Sequence, residues 1–191
     1  MKPLVWHWGR RGAGPLFATR LVAAMREIEG CTPSLSLAAG AEILAQPGAP
    51  ECDWREPTYA SASGFIGQRL AGPLLAGRTL RHLRQIAPDF ALCAMPSLLD
   101  SRMLSGLRRA RIPYVAIVHD ANAHPGDSLS FRFLGQRALL HGGKILFPLT
   151  EHVQDGLLRQ GFGRDGQKIV KLWHPPIGVG PIAPPLSHSG P

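Results

Sequence analysis

The chain has 191 residues, a length typical of one domain with a sizeable buried core. Hydrophobic residues make up 45% of it, and there is no Gly-X-Y period or sustained heptad, which excludes collagen, coiled coils and wholesale disorder. The 21 Lys and Arg residues outnumber the 13 Asp and Glu residues and give a formal charge of +8. A surface with this charge attracts phosphates, anionic lipid head groups or nucleic acid.

The cysteines and the N-terminal residues bear on the cellular compartment. Cys31, Cys52 and Cys93 are widely spaced and form neither a zinc-binding pattern nor a disulfide framework, which favours a reducing compartment. The first residues lack the apolar core and cleavage site of a signal peptide, and no stretch is long and apolar enough to span a membrane. We therefore expect a soluble cytoplasmic protein.

Short apolar runs alternate with segments of helical periodicity along most of the chain. The predicted strands are residues 4–8, 34–38, 90–95, 114–118, 145–149 and 169–172. The predicted helices are one from residue 15 up to Gly30, and residues 74–86, 98–109, 129–140 and 151–159. Strands bridged by helices indicate parallel βαβ units, so the predicted fold is α/β, a single Rossmann-like doubly wound sheet that is mainly parallel and has helices on both faces. Residues 90–95 and 114–118 are the predicted central strands.

Two local patterns lead to further structural expectations. In the first predicted helix, Phe17, Leu21, Met25 and Ile28 are spaced four, four and three residues apart, which predicts one buried face. Between residues 46 and 64, three prolines interrupt any long element, so this segment is predicted to be irregular.

The periodicity is lost after His174. Six Pro and three Gly occur among the 17 residues from 175 to 191. A segment of this composition buries too little apolar surface to fold by itself. We therefore divide the chain into a Rossmann-like domain at residues 1–174 and a Pro/Gly-rich linker or disordered tail at residues 175–191.

A Gly-rich turn follows the first predicted strand. Gly9, Gly12 and Gly14 precede Pro15, which suits the first turn of a helix. The free backbone N–H groups at a helix N-terminus favour an anion. The spacing is neither a Walker A motif nor the dinucleotide-binding G-x-G-x-x-G, so the turn is either a phosphate-binding site or a tight strand-to-helix connection.

A dense polar segment follows the strand at residues 114–118. It contains His119, Asp120, Asn122 and His124. In an open parallel sheet, ligands bind beyond the carboxyl ends of the strands, where imidazoles and carboxylates can hydrogen-bond phosphate and sugar hydroxyl groups. The spacing matches no zinc site, so no metal is expected. Asp and Asn also form turns for structural reasons alone, which is the alternative interpretation.

Two other polar residues follow predicted strands. Thr150 precedes residues 151–159 and is the predicted N-cap of that helix. His174 closes the last strand and is interpreted as part of an exit turn. No serine lies in a G-x-S-x-G turn, and the cysteines lack the charged neighbours of a reactive thiolate, so no nucleophilic site is predicted.

In four segments the chain resembles the N-terminal domain of the family 4 retaining glycosyltransferases, which have the GT-B fold. These segments are the Gly-rich turn, IAPDFALCAM, RIPYVAIVHDANAHPGD and ILFPLTEHVQDGLLRQGFGRDGQKIVKLWHPP. They occur in the order found in that family, and the resemblance as a whole extends over most of residues 1–178. The chain departs from the family at Thr150, where the family usually has Ser, and at His174 and Pro175, where it has Asn and Gly.

The resemblance implies roles for residues in the Gly-rich turn and the polar segment. In that family the turn approaches the donor diphosphate, and the His of the "HD" segment lies between donor and acceptor. The implied site residues are Gly12, Ala13 and Gly14 for the donor phosphate, His119 and Asp120 for catalysis, and Asn122 and His124 for the acceptor. No cofactor is implied. We expect His119 to emerge at the carboxyl end of its strand and to face the Gly12–Gly14 turn.

The second domain of that family, which binds most of the nucleotide sugar and carries an E-x7-E pair, has no counterpart in this sequence. We therefore expect the acceptor-binding half of a retaining glycosyltransferase of polysaccharide biosynthesis, with negligible turnover by itself. Its expected partners are a nucleotide sugar and a glycan or lipid-linked acceptor, and its charge suits peripheral contact with the anionic inner face of a membrane. The alternative is a non-enzymatic binding module that pairs with a separate donor-domain polypeptide. Nucleic-acid binding is not expected, because no such motif is present.

Overall fold

The computed structural model of this chain describes residues 1–59, 61–121 and 136–174. Its strands are β1 (Pro3–His7), β2 (Ser34–Ala38), β3 (Trp54–Glu56), β4 (Phe90–Cys93), β5 (Tyr114–Val118), β6 (Ile145–Pro148) and β7 (Lys168–Ile169). Its helices are α1 (Ala13–Arg26), α2 (Ala62–Leu70), α3 (Gly72–Ile86), α4 (Asp100–Ala110), α5 (Gln136–Gly142) and α6 (Glu151–Arg159), with a short 3-10 helix at Glu42–Ala45.

All seven strands form one parallel sheet in the order β3-β2-β1-β4-β5-β6-β7. The chain moves outward from β1 to β3 and then crosses back to β4, so β1 and β4 are neighbours at the point where the strand order reverses. The predicted α/β fold with a parallel sheet is confirmed, and β4 and β5 are inner strands as predicted.

The sheet is buried on both faces. Successive side chains of a strand point to opposite faces. Trp6 accordingly packs in one cluster with Leu107 of α4, while Val5 packs in a second cluster with Phe17 of α1. Burying a side chain of this size stabilises a fold by roughly 1.5–3 kcal/mol. Burial on both faces explains why the inner strands have continuous apolar sequences rather than alternating ones.

The segment predicted to be irregular, residues 46–64, contains β3 and the start of α2. The prediction holds for residues 46–53 and 57–59, which form no helix or strand, but it misses β3, because this three-residue edge strand depends on tertiary contacts rather than on local periodicity. It pairs with β2 in the register Ser36–Trp54, and the indole Nε1 of Trp54 donates to Glu56 at 2.8 Å.

The predicted buried face of the first helix is also partly wrong. Phe17 is buried, but α1 ends at Arg26, and Ile28 lies beyond the helix with 53% of its surface exposed. Val22, which was not in the predicted face, is buried instead of Ile28. The buried side of α1 is the one that packs against β1 and β2.

At the end of the described chain, β7 is shorter than predicted and starts one residue earlier. Val170 and Leu172 donate backbone N–H groups to carbonyls of residues 146 and 148, but their side chains are 42% exposed at the edge of the sheet. Residues 175–191, and residues 129–135 of the predicted helix 129–140, lie outside the described residues. The division at residue 174 therefore stays a prediction.

Candidate functional site

A cavity of about 380 Å³ lies at the carboxyl edge of the sheet, beyond the ends of β1, β4 and β5. This is the point where the strand order reverses, which is where open α/β sheets bind ligands. The structure brings five predicted site residues to this cavity, namely Gly12, Ala13, Gly14, His119 and Asp120. Asn122 and His124 lie outside the described residues. The other lining residues are His7, Gly9, Arg11, Tyr59, Met95, Pro96, Ser97, Leu98 and Gln136.

The N-terminus of α1 forms one wall of the cavity. Its N-cap residue, Gly12, has φ 80°, a left-handed conformation that favours glycine, and it supplies no side-chain cap. The first turn of α1 carries no acidic side chain. The helix dipole and the first backbone N–H groups therefore present partial positive charge on this wall, as an anion requires.

His7, the last residue of β1, is a cavity residue that the sequence analysis missed. The residue is only 4% exposed, and a Cβ atom added to either Gly9 or Gly14 would overlap the Nε2 atom of its ring. These two glycines are therefore needed for close packing against the imidazole. The available signal was a histidine at the end of an apolar strand, directly before a Gly-rich turn.

Two consecutive backbone carbonyls orient the two histidines of the cavity. His7 donates from Nδ1 to the Met95 oxygen at 2.9 Å, and His119 donates from Nε2 to the Ala94 oxygen at 3.0 Å. Because a carbonyl only accepts, each of these ring nitrogens carries the proton, and the opposite nitrogen has a lone pair. Burial lowers the pKa of both imidazoles. Both rings are therefore neutral acceptors at neutral pH.

His119 is packed more tightly than an exposed cleft residue. Its ring lies edge-on to Phe17 at 5.1 Å between centroids and to His174 at 5.8 Å. His174, interpreted from the sequence as part of an exit turn, thus lies beside the cavity residue His119. The expectation that His119 emerges at the carboxyl end of β5 holds, but its ring is also bound to backbone and partly enclosed.

Two charged residues, Asp120 and Arg11, line the carboxyl-edge cavity. Asp120 is exposed, and Arg11 forms an ion pair with Glu42 at 2.9 Å. Both partners of this pair are largely exposed, so solvent weakens it and the Arg11 guanidinium can exchange Glu42 for a bound anion.

A buried carboxyl group supports the loop that follows β4. Asp100 accepts hydrogen bonds from the Trp6 indole at 3.1 Å, from the Ser97 amide at 2.6 Å and from the Ser97 hydroxyl at 2.8 Å. Burial raises the pKa of Asp100 to about 6, against the effect of these three donors. Because Ser97 lines the cavity, Asp100 helps to set the shape of that wall.

Thr150 caps α6 as predicted, because its hydroxyl oxygen accepts from the Val153 amide at 3.2 Å. Within residues 1–59, 61–121 and 136–174, no group of three or more His, Cys, Asp or Glu side chains is placed to hold a metal ion. In the same part of the chain, no helix has the length and apolar character needed to cross a membrane.

No protein-family profile and no curated protein sequence matches this chain. Solved structures do resemble it. UDP-GlcNAc 2-epimerase from Neisseria meningitidis, bound to UDP-GlcNAc, superposes with a TM-score of 0.67 and 15% identity over 89% of this chain and 45% of its own. Anabaena Alr3699/HepE, in complex with UDP and glucose, superposes with a TM-score of 0.61 and 15% identity over 91% of this chain and 44% of its own. MurG from Acinetobacter baumannii superposes with a TM-score of 0.58 and 11% identity over 80% of this chain and 42% of its own.

This chain spans less than half the length of each of these GT-B-type proteins. At such low identity the likeness defines the fold, and the assignment to glycosyltransferase family 4 stays a prediction. The chain has a Rossmann-like fold that matches one half of these GT-B-type structures.

Proposed function

We propose that this chain is the acceptor-side half of a nucleotide-sugar glycosyltransferase that retains the configuration of the transferred sugar. The observation that carries the proposal is the cavity at the carboxyl edge, which combines the uncapped N-terminus of α1 with the neutral imidazole of His119. The helix N-terminus suits a phosphate group, and the imidazole suits a hydroxyl group. Two of the structurally similar proteins were determined with UDP or UDP-GlcNAc, which supports a nucleotide-sugar ligand.

The first role belongs to the backbone of the Gly-rich turn. When the bond between the sugar and the donor phosphate breaks, negative charge grows on the departing phosphate oxygen. The N–H groups at Gly12, Ala13 and Gly14, together with the α1 dipole, would stabilise that charge without rearrangement. Arg11 at the rim would add a cation once it releases Glu42.

The second role belongs to His119. With the proton on Nε2 held by Ala94, the ring offers its Nδ1 lone pair to the acceptor hydroxyl. The hydroxyl oxygen would then form the new bond on the face from which the phosphate leaves, which gives retention. Asp120, Asn122 and His124 follow directly in the chain and would bind sugar hydroxyl groups.

This half alone should bind a donor weakly. Association costs several kcal/mol in lost translational and rotational freedom, which the contacts with the ligand must first offset. Half of the cleft offers only part of those contacts. We expect the isolated chain to bind UDP or a UDP-sugar no more tightly than about millimolar.

The proposal can be tested by titrating the 15N-labelled chain with UDP and UDP-GlcNAc and following the backbone amides by NMR. We expect the amide signals of Gly12, Ala13 and Gly14 to shift most, and Gly12→Ala to remove the shifts. Gly30→Ala is a matched control, because Gly30 also has a positive φ (72°) and open space around its Cα, but lies before β2 at the opposite edge. Shifts that avoid the α1 N-terminus would contradict the proposed phosphate site, and micromolar affinity would contradict the half-site assignment.

The reaction type needs a separate measurement with the donor-binding domain supplied. Transfer of labelled sugar to a glycan or lipid-linked acceptor, with the anomeric configuration of the product read by NMR, should show retention. Conversion of UDP-GlcNAc without any acceptor would instead indicate an epimerase and overturn the transferase assignment.

A further inference from the structure

A second cavity, of about 510 Å³, lies between α3 and α4, away from the carboxyl-edge cavity. The two cavities have no lining residue in common among those that the structure describes. The polar part of its wall is formed by Arg102, Arg108, Arg109, Ser101, Ser105 and Gln68. Three guanidinium groups, two hydroxyls and one amide thus line a cavity whose described walls contain no acidic side chain.

Among the residues that the structure describes, one of the three arginines is paired with a carboxylate. Arg102 is buried and pairs with Glu56 at 2.7 Å, whereas Arg108 and Arg109 are exposed on the last turn of α4. Burial lowers the pKa of Arg102, and repulsion by the Arg78 guanidinium on α3 lowers it further against the pull of Glu56. Four arginines therefore surround the cavity, and Glu56 neutralises the charge of one of them.

The Arg102 side chain also has a donor without a partner. Its terminal nitrogens donate to Gln68 at 2.7 Å and to Glu56, which holds the guanidinium in one orientation over the Trp8 ring. Its Nε atom is buried and has no hydrogen-bond partner among the described residues. A buried donor left unpaired costs roughly 1–3 kcal/mol. With its side chain only 4% exposed, Arg102 is a fixed positive charge in the cavity wall, and the exposed Arg108 and Arg109 supply the accessible donors.

We propose that the cavity between α3 and α4 binds a phosphate monoester through Arg108 and Arg109, with the buried Arg102 adding positive charge to its wall, as a site separate from the proposed donor phosphate site. The planar guanidinium groups match the geometry of phosphate oxygens and form charge-assisted hydrogen bonds with them. A dianionic phosphate balances Arg108 and Arg109, which no carboxylate of the described residues neutralises, and Ser101 and Ser105 place hydroxyl groups on the same wall.

The test uses the whole chain and inorganic phosphate at low ionic strength. Titration followed by 15N NMR should shift the amides of residues 101–109 saturably. Arg108→Gln/Arg109→Gln should weaken this binding at least about tenfold, which corresponds to the loss of one charge-assisted hydrogen bond. These two residues are exposed, so the double variant should keep its melting temperature. Arg81→Gln/Arg84→Gln is the matched control, because it removes the same charge from exposed positions of α3 that do not line the cavity.

The control should bind within about twofold of the parent chain, because its residues make no contact with the ligand. Equal weakening by the two double variants would show a diffuse charge effect and overturn the site. Phosphate shifts confined to Gly12–Gly14, or abolished by Gly12→Ala, would assign the binding to the other cavity and likewise overturn it. Because the two cavities share none of their described lining residues, failure here leaves the proposed glycosyltransferase site unaffected.

The source of the phosphate can be distinguished with vesicles. If it is a lipid head group, vesicles of phosphatidylcholine containing phosphatidic acid should bind the chain, and the Arg108→Gln/Arg109→Gln variant should lose that binding. If it is a soluble monoester, inorganic phosphate should bind while the vesicles do not. Either result supports the site. Vesicle binding that the variant retains, together with no phosphate binding, would refute it.

Discussion

The imidazole of His7 occupies the space into which a side chain at Gly14 would project. The last residue of β1 therefore determines how closely the first turn of α1 approaches the strand, and with it the position of the proposed phosphate-binding amides. Gly9, on the other side of the turn, packs against the same ring.

Gly14→Ala should destabilise the chain by about 1–3 kcal/mol, because the new methyl group would overlap the His7 ring. Urea unfolding measures the loss. His7→Ala should remove the overlap, so the double variant should be more stable than the sum of the two single changes predicts. Simple additivity of the two changes would show that the two residues do not interact.

Gly77→Ala should have the opposite effect. Gly77 lies inside α3, and a Cβ atom there would meet nothing within 4 Å. Alanine has the higher helix propensity, so the free energy of unfolding should rise by about 0.5–1 kcal/mol. The same urea experiment measures it, and a decrease would contradict the open environment of this position.

Asp100 should make stability depend on pH between about 4 and 6. Its pKa is raised from 3.8 to about 6 in the folded chain, so the folded state holds a proton that the unfolded state has lost. The stability contribution of Asp100 is therefore greatest below pH 3.8 and declines, by up to about 3 kcal/mol, as pH rises to about 6.

His7 and His119 act in the opposite direction. Their lowered pKa values mean that the unfolded state binds more protons below about pH 6.5, so stability falls as the pH falls through that range. The contribution of Asp100 is therefore measured as the difference in unfolding free energy between the parent chain and Asp100→Asn. That difference should decline from pH 4 to pH 6 and stay level above it. A constant difference would mean that Asp100 has an ordinary pKa.

His119→Ala should lower kcat for glycosyl transfer about 100-fold or more when the donor-binding domain is present, the usual effect of removing a positioned acid or base. Because the ring also contacts Phe17 and Ala94, this variant should lose some thermal stability. His119→Gln separates the two effects, since it keeps an N–H donor for Ala94 but lacks a proton acceptor of comparable basicity. Its melting temperature should stay near that of the parent while its activity stays low. Parental activity in this variant would make His119 structural.

The inner elements could be predicted from the sequence because their local patterns agree with their tertiary environment. β5 has the predicted bounds because a strand buried on both faces needs an unbroken apolar run. α6 also has its predicted bounds, because Thr150 supplies an N-cap that is recognisable from its side chain alone. β3 could not be predicted, because its three residues depend on pairing with β2 and on the hydrogen bond between Trp54 and Glu56.

Some residues of the candidate site could also be predicted from the local sequence, and others depend on contacts with distant parts of the chain. The position of the Gly12–Gly14 turn follows from a strand and a helix that are adjacent in sequence, and that of His119 follows from the end of β5. The importance of His7 depends on Met95, which is 88 residues away, and so emerges only when β1 and β4 lie side by side. Likewise, nothing local to Arg102 indicates that it is buried against Glu56, 46 residues earlier.

The buried ion pair between Glu56 and Arg102 has a consequence for how the sheet assembles. Glu56 belongs to β3, the edge strand that ends the first half of the sheet (β1 to β3). Arg102 belongs to α4, which follows β4, the first strand of the second half. Either half folded alone would hold a charge without its partner, at a cost of about 3–5 kcal/mol if that charge stayed buried. The two halves should therefore complete their folding in one cooperative step, and a fragment that ends between β3 and β4 should not form a stable folding unit.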